Sequence, residues 1–315
     1  MALSNKTMIV TEFILLGFHT TRDMKILLFI IFLIVYVLTV LSNTVIILLV
    51  WTCNHLHSPM YLFLANLSFL EIMLTSSVIP KMLAITISQV NTISFEGCIA
   101  QSFFYFLFGT IEFFILAIMS FDRYVAICIP LRYPTIMRTQ VCLKMMITSW
   151  VGGLLYVLLP SIVTIKLPFC GPNVIDHFFC DSAPMLKLVC GDLHVVEMVH
   201  FICSAVLLLS SLFSTLTPYI FIVFTIARIP SSQGQWKAFS TCASHMIVVT
   251  IFYGVSIFLY ARPSKGNVLS FNKVGTVLNT IVTPLMNPFI YTLRNQVVIE
   301  SLRQTFAKLK SFLTV

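Results

Sequence analysis

Five stretches of the chain contain no Asp, Glu, Lys or Arg, and they constrain the fold more than any other feature. The charge-free stretches are residues 26–70, 145–165, 198–227, 238–261 and 274–293. An α-helix rises about 1.5 Å per residue, so about 20 residues cross the hydrocarbon of a bilayer. Residues 26–70 hold one span and the start of a second, which follows the polar turn 53–59 and continues to about residue 82. A span at about 98–125 is interrupted only by Glu112. The sequence therefore predicts seven transmembrane spans.

The predicted spans must be helices, because lipid offers no hydrogen-bond partner for backbone N–H and C=O groups. The chain is 58% hydrophobic and only 10% charged. A soluble domain usually carries about 25% charged residues, so the composition argues against a soluble protein. We expect an all-α membrane protein, a seven-transmembrane helix bundle with its amino terminus outside the cell. Its parts are an outer segment 1–25, a membrane domain 26–293 and a cytoplasmic tail 294–315 that forms a short amphipathic helix.

The net charge of +8 does not indicate nucleic-acid binding, because the basic residues form no cluster of five or more. In a membrane protein, basic residues are expected along the inner membrane surface. Lys and Arg number 10 in the inner connections and 9 in the outer ones, so this count barely determines the orientation.

The cysteines and one sequon support an outer amino terminus more strongly than the charges do. A sequon for N-glycosylation begins at Asn5, near the amino terminus. With this end outside, Cys98, Cys170, Cys180 and Cys190 all face the oxidising side of the membrane. Four cysteines can form two disulfides in three connectivities, and the spacing leaves the pairing open.

Two acidic residues, Glu71 and Glu112, lie deep inside predicted spans at similar depth. An unpaired ionised carboxylate at that depth costs about 2.5–3.5 kcal/mol. We therefore expect a shared sodium or proton site between helices two, three and seven, with Asn287 as a polar neighbour. Two separately hydrogen-bonded neutral acids are the alternative, and no other metal or cofactor is expected. The same two acids also suit a seven-helix transporter or ion-translocating protein, although no internal repeat is visible.

Four sequence motifs lie between the first inner connection and the seventh predicted span. Residues 119–128 read MSFDRYVAIC, residues 56–61 LHSPMY, residues 237–245 KAFSTCASH and residues 284–291 PLMNPFIY. They resemble the olfactory receptor signatures MAYDRYVAIC, LHTPMY, KAFSTCxSH and PMLNPxIY. Residues 11–18, TEFILLGF, fit as well, so the resemblance covers nearly the whole chain. The short outer loops resemble those of the class II, tetrapod-type receptors.

The resemblance implies a rhodopsin-like class A G-protein-coupled receptor for small volatile odorants. Its implied partners are the odorant, the heterotrimeric olfactory stimulatory G protein, which raises cAMP, and membrane lipid. Its implied location is the plasma membrane of olfactory sensory cilia, as a multi-pass glycoprotein with disulfide bonds. The sequence contains no HExxH or GxSxG motif, and we do not expect an enzyme.

The resemblance also assigns roles to individual residues. It implies the disulfides Cys98–Cys180 and Cys170–Cys190. It places Glu71 at a sodium-site position, together with Glu112. The residues implied for activation and G-protein coupling are Asp122, Arg123, Tyr124, Tyr219, Lys237 and Tyr291.

The odorant pocket is expected in the outer halves of helices three, five, six and seven, because such ligands need an apolar surface with few polar anchors. The pocket-facing positions, aligned on the motifs, are Tyr105, Phe106, Gly109, Thr110, His200, Cys203, Ser204, Leu207, Ser256, Tyr260, Thr276 and Thr280. Packing against lipid or core is an equal alternative at each position. Tyr260 is the leading candidate, because a ring with a hydroxyl suits an apolar ligand with one polar group.

Five positions depart from the family pattern. They are Ser42 for Gly, Glu71 for Asp, Phe121 for Tyr, Pro218 for Ser and Gln235 for Arg. Pro218 alters the geometry expected of the fifth helix, and Gln235 removes a charge from the side that faces the G protein.

Overall fold

The computed structural model describes residues 10–88, 91–170, 172–191, 193–260, 268–294 and 298–304. Within these ranges it leaves out the side chains at 237, 241, 260, 268–272 and 292–294. The predicted glycosylation site at Asn5 and the side chains of Lys237 and Tyr260 therefore lie outside the described residues.

The described residues form ten numbered α-helices. They are α1 Arg22–Thr52, α2 Pro59–Ile87, α3 Phe95–Cys128, α4 Tyr133–Ile136, α5 Thr139–Ile165, α6 Ser182–Leu186, α7 His194–Ala227, α8 Ser232–Tyr260, α9 Val268–Val277 and α10 Thr283–Arg294. Short 3-10 helices occupy Asn54–Leu56 and Pro130–Arg132, and a π-helix, Leu278–Val282, joins α9 to α10.

Seven spans follow from these elements, as the charge-free stretches predict. Among the described residues, six single helices are long and apolar enough to cross a membrane: α1, α2, α3, α5, α7 and α8. The seventh span consists of α9, the π-helix and α10, which run on without a break from residue 268 to 294. The sequence prediction of the seven-helix fold is therefore confirmed.

Helix boundaries follow from local chemistry. Pro59 opens α2, where its missing N–H would have no intrahelical partner. At α3, the Ser94 hydroxyl accepts a hydrogen bond from the Gly97 N–H at 3.1 Å. The helix α2 extends beyond the predicted 59–82 at its end, and α3 extends beyond the predicted 98–125 at both ends.

The helices α2 and α3 form the centre of the bundle, and α1, α5 and α7 lie around them. Most side chains in the apolar middle of α2 and of α3 are buried, including Val78 and Ile115 at 0% exposure. By contrast, large apolar side chains such as Leu41 of α1, Leu159 of α5 and Phe213 of α7 are exposed. This exposed apolar surface is what a lipid-facing helix requires.

At one end of the bundle, a small sheet joins three separate segments of the chain. The strands are β1 Glu12–Leu15, β2 Thr92–Ser94 and β3 Val174–Ile175. In the order β2-β1-β3, Phe13 pairs with Ile93 antiparallel and Ile14 pairs with Val174 parallel. The sheet and residues 173–190 together are called the outer cap. The strands were not predicted from the sequence.

Two disulfides close the outer cap, with the connectivity that the resemblance implies. Cys98 of α3 is joined to Cys180, and Cys170 is joined to Cys190. The first bond links residues 82 positions apart and the second links residues 20 apart. The first therefore ties the cap directly to a central helix.

The opposite end of the bundle is the inner end. Here residues 298–304 are helical and Val298 packs against Leu49 and Leu56. The His55 ring bonds to the Ser301 hydroxyl at 2.7 Å. The remainder of the predicted amphipathic helix lies outside the described residues.

Candidate functional site

The two intramembrane acids lie together in the middle of the bundle. Glu71 of α2 and Glu112 of α3 are 1% and 2% exposed and interact electrostatically. The Asn287 amide of α10 donates a hydrogen bond to Glu71 Oε1. The structure therefore brings together the three residues that the sequence proposed for a sodium or proton site.

A fourth residue, Asn43 of α1, belongs to this cluster and was missed by the sequence analysis. Its Nδ2 donates to the Thr39 carbonyl at 3.1 Å and to the Pro284 carbonyl at 3.3 Å. Its side chain also interacts with Glu71. An isolated Asn in the first predicted span was the only available signal.

Three buried oxygens of this cluster have no hydrogen-bond partner among the described residues: Asn43 Oδ1, Glu71 Oε2 and Glu112 Oε1. Carboxylate and amide oxygens are the ligands that hard cations prefer. No group of three or more His, Cys, Asp or Glu side chains in the described part of the chain is placed to hold a metal ion. The donor set thus fits a monovalent hard cation or a shared proton.

At the inner end of α3, Asp122 and Arg123 form an ion pair. The Arg123 guanidinium donates to Asp122 Oδ2 through Nη2 at 2.5 Å and through Nε at 3.1 Å. The Tyr133 hydroxyl of α4 donates to Asp122 Oδ1 at 2.8 Å. Asp122 is fully buried, so these donors hold the carboxylate and orient the arginine. Tyr124 lies beside the pair, with its ring 5.8 Å from that of Phe221 on α7.

A second inner contact joins α7 to α8. Tyr219 and His245 are buried and hydrogen-bonded through the phenol oxygen and Nδ1. The ring of Tyr291 from α10 lies 6.4 Å from the His245 ring, and its hydroxyl has no partner among the described residues. His245 was noted only as part of a motif, and the structure places it between two of the predicted activation residues.

In the outer half of the bundle, α3 faces the seventh span across a small polar group. The Asn279 Nδ2 donates to the Tyr105 hydroxyl at 3.5 Å. Thr280 is fully buried and lies near the same phenol. Tyr105 and Thr280 were predicted, whereas Asn279 was missed because an isolated amide in an apolar helix gives little signal.

Apolar groups surround this polar group. The Phe106 ring lies 5.3 Å and the Phe179 ring 4.8 Å from that of Tyr105. Beside Gly109, a Cβ would meet no heavy atom within 4 Å, so space is open there. Thr110, Ser256 and Thr276 are buried.

The pocket positions predicted on the fifth span, which is α7, lie farther towards α5. The Thr164 hydroxyl and His200 Nε2 are 3.4 Å apart, and the Tyr156 hydroxyl donates to the Cys203 carbonyl. Ser204 and Leu207 are half-buried. A cavity of about 400 Å³ lies near this face, between α3 and α5, but it includes none of the predicted ligand residues.

The outer cap covers this half of the bundle, and a charged contact joins it to the seventh span. Lys273 Nζ donates to Asp176 Oδ1 at 2.6 Å and to the Gly17 carbonyl at 2.9 Å. Although burial opposes it, hydrogen bonding and the charge of Lys273 lower the pKa of Asp176. Burial, followed by the charge of Lys273, lowers the pKa of His177 to about 3, and burial raises the pKa of Asp181 to about 6.

Comparison with known proteins identifies the scaffold. The family model for olfactory receptors matches residues 32–308. Human olfactory receptor 6J1 is 49% identical over 98% of this chain and 89% of its own length. Mouse olfactory receptor 6E1 is 49% identical over 96% of this chain and 97% of its own length.

Among solved structures, squid rhodopsin superimposes with a TM-score of 0.72 over 93% of this chain and 88% of its own. Its sequence identity of 17% makes this a likeness of fold. The match extends across the seven helices, and the sequence matches extend across nearly the same residues. The chain therefore belongs to the olfactory receptor family of seven-helix G-protein-coupled receptors.

Proposed function

We propose that the protein binds a small, mostly apolar odorant below the outer cap and activates the olfactory stimulatory G protein, which raises cAMP. The main support for the proposal is that α3 bears both a group suited to binding an odorant and a group suited to contacting the G protein. Tyr105 meets the seventh span in the outer half, and Arg123 lies on the same helix roughly 27 Å further in. A shift of this one helix would connect the two ends.

The odorant site lies among α3, α7, α8 and the seventh span. Its apolar wall includes Phe106 and Leu207, and its polar groups include Tyr105 and Thr280. Ser256 of α8 is buried and supplies a further hydroxyl. An apolar wall with a few polar groups fits small volatile molecules, which are largely apolar.

Activation requires that the odorant favour the active arrangement over the inactive one. The described arrangement holds Arg123 on Asp122 and Tyr219 on His245. The active state opens the inner ends of α7 and α8, which frees Arg123, Tyr124 and Tyr291 to meet the G protein. Lys237 contributes a positive charge on the same side.

A sodium ion or a proton occupies the cluster of Glu71, Glu112, Asn287 and Asn43 in the inactive arrangement. This proposal rests on the three unpaired buried oxygens. When bound, the ion or proton places one positive charge between two adjacent carboxylates and so reduces their mutual repulsion in a medium of low polarity. The asparagine amides orient the carboxylates.

The receptor activity is tested in cells that display the full chain and contain the olfactory G protein and a cAMP reporter. A panel of odorants should include at least one that raises cAMP with increasing concentration. Arg123→Ala should abolish the response at unchanged surface display. Membrane currents that persist without the G protein would instead support the ion-translocating alternative, which the unpaired carboxylate oxygens also suit.

The pocket is tested with Ser256→Ala and Tyr260→Phe, each of which removes one hydroxyl. At least one of these variants should shift the concentration of odorant that gives a half-maximal response. If both respond to every odorant as the unaltered protein does, the polar groups on α8 are not part of the pocket.

The ion site is tested with Glu71→Gln and Glu112→Gln. Each variant should reduce the dependence of basal and odorant-evoked cAMP on sodium concentration and on pH. Glu96→Gln, at the exposed first turn of α3, is the matched control and should retain both dependences. Unchanged sodium and pH dependence in the two core variants would refute the site.

A further inference from the structure

The seventh span contains a π-helix at Leu278–Val282, directly opposite Tyr105 of α3. Short π-helical turns are rare and occur frequently at functional sites, because they change which side chains face inward. The Thr283 hydroxyl donates to the Leu278 carbonyl at 3.1 Å and supports the widened turn. As a result, Asn279 and Thr280, although adjacent in sequence, both place polar side-chain atoms in the protein interior.

The hydrogen-bonding capacity of this polar group is incompletely used. Asn279 Nδ2 donates to the Tyr105 oxygen, but Asn279 Oδ1 is buried and has no partner among the described residues. The Thr280 hydroxyl is likewise buried; it lies near the Tyr105 hydroxyl, but the two do not meet the geometry of a hydrogen bond. A phenol that accepts one hydrogen bond still has its own hydrogen to donate. The site therefore offers one free acceptor, Asn279 Oδ1, beside the hydroxyl groups of Thr280 and Tyr105, which donate.

Such groups are costly when they stay unpaired, so something is expected to bind them. The packing on one side of this polar group is open. Gly109 follows Tyr105 by one helical turn on the same face of α3, and open space borders its Cα. The aromatic rings of Phe106 and Phe179 contact Tyr105 and supply apolar walls.

We infer that the ligands of this receptor are small neutral alcohols, aliphatic or phenolic, whose hydroxyl binds the Tyr105–Asn279–Thr280 group. The ligand hydroxyl donates its hydrogen to Asn279 Oδ1 and accepts a hydrogen bond from Thr280 or Tyr105. This inference rests on the proposed odorant-receptor function and specifies the ligand class of the same site.

Other chemical classes match the three residues less well. An aldehyde, ketone or ether accepts hydrogen bonds but has no hydrogen to donate, so Asn279 Oδ1 would remain unpaired. A carboxylate likewise lacks a donor, and it would lie near two acids, Glu112 and Asp181, that interact with Tyr105. A protonated amine would need a direct carboxylate partner, and none of the three groups carries a charge.

The experiment compares matched odorants on the full receptor in cells with a cAMP reporter. The probes are primary alcohols of six to ten carbons and substituted phenols, each with its methyl ether, and with the corresponding aldehyde or primary amine for the aliphatic series. The most active alcohol should be at least about fivefold more potent than its methyl ether, the size expected for one buried unpaired acceptor.

Two variants test whether the difference in potency between alcohol and methyl ether arises at these residues. Asn279→Ala should bring the potency ratio of alcohol to methyl ether close to one. Thr280→Val preserves shape, removes the hydroxyl, and should weaken alcohols by about fivefold or more. Thr86→Val is the matched control, since Thr86 is also buried, lies on α2 and bonds the Met82 carbonyl of its own helix. It should leave alcohol potency unchanged. Surface display is measured for every variant. If Asn279→Ala is retained inside the cell, Thr280→Val alone tests whether the polar group binds the alcohol.

The possible outcomes separate this inference from the proposed function. Ethers, aldehydes or amines that match or exceed the alcohols would overturn the alcohol assignment and leave the odorant-receptor function standing. Alcohol responses that neither variant alters would also overturn it. If no odorant of any class raises cAMP while the protein is displayed normally, the proposed function itself fails.

Discussion

The outer and inner ends of the bundle are held by different kinds of bond. The outer end carries both disulfides of the described residues, a sheet of three separate segments, and the bonds from Lys273 to Asp176 and Gly17. The inner end is held by hydrogen bonds such as those between Tyr219 and His245 and between Cys128 and Thr225. The outer end is thus fixed covalently, whereas the inner contacts named here are non-covalent.

The chemistry of the two compartments accounts for this difference. Disulfides persist outside the cell, whereas the cytosol keeps thiols reduced. Four of the five free cysteines lie in the inner half: Cys53, Cys128, Cys142 and Cys242. In the proposed function, non-covalent inner contacts would let a small displacement at the outer end rearrange the inner end, where the G protein is proposed to bind. Predictions that break individual bonds at either end test this contrast.

The largest effect is expected from removing the disulfide between Cys98 and Cys180. In the chain-entropy view, a cross-link stabilises more as the closed loop lengthens, by about 3 kcal/mol for short loops and over 4 for long ones. The double variant Cys98→Ser/Cys180→Ser should therefore lose more thermal stability and surface display than Cys170→Ser/Cys190→Ser. Melting of the purified receptor in detergent measures this, and equal losses would contradict the ranking.

A smaller effect is expected from Lys273→Met, which removes the charge that ties the seventh span to the cap. Asp176 is partly exposed, so solvent weakens the ion pair, and a loss of about 1 kcal/mol is expected. This variant should melt a few degrees lower than the unaltered protein. Lys187→Met, at an exposed position of the outer cap, should not. Equal melting of both variants would show that the cap does not depend on this contact.

At the inner end, Tyr133→Phe removes one hydrogen bond to the buried Asp122 carboxylate. The bond is worth about 1 kcal/mol, because one acceptor site on a carboxylate loses its partner. Its loss frees α4 and loosens Asp122, so basal cAMP should rise severalfold, with a fall of at most a few degrees in melting temperature. A fall in melting temperature without a change in basal cAMP would mean that the inner end is as rigidly built as the outer end.

The two ends also differ in how far the sequence predicted them. Charge-free runs defined the spans, and the isolated acids Glu71 and Glu112 stood out because charges are rare in lipid. The sheet of the outer cap was not predicted, because strands of two to four residues are too short to show alternation. Which polar side chains of an apolar helix face inward also depends on the π-helical turn, which hydrophobic patterning does not reveal. Asn279 was missed for that reason.

A related reason explains why His177 was missed as a buried residue. It lies in a long connection, where side chains are usually exposed, but its ring is buried and contacts the rings of Phe178 and Phe179. The burial of His177 makes the stability of the outer cap depend on pH. This dependence gives the prediction with the smallest expected effect.

The smallest predicted effect concerns the pH dependence of the cap. Burial, followed by the charge of Lys273, lowers the pKa of His177 to about 3, so acidification from pH 7 to 5 favours the unfolded cap, where the imidazole can protonate. Burial raises the pKa of Asp181 to about 6, so the same acidification favours the folded cap, where that carboxyl protonates first. The two effects oppose each other. The pKa of Asp176 is lowered, and the groups facing it, Lys273 and His19, stay bonded to the same oxygen.

Together, His177 and Asp181 should therefore change the stability of the receptor by only about 1 kcal/mol between pH 7 and 5. His177→Asn removes the first effect and leaves the second, so the variant should gain melting temperature relative to the unaltered protein when the pH falls from 7 to 5. His57→Asn, at an exposed position of the inner end, should keep the behaviour of the unaltered protein. If His177→Asn and His57→Asn show the same pH dependence, the buried histidine does not set the acid response, and the rigidity of the outer end rests on its disulfides and Lys273 alone.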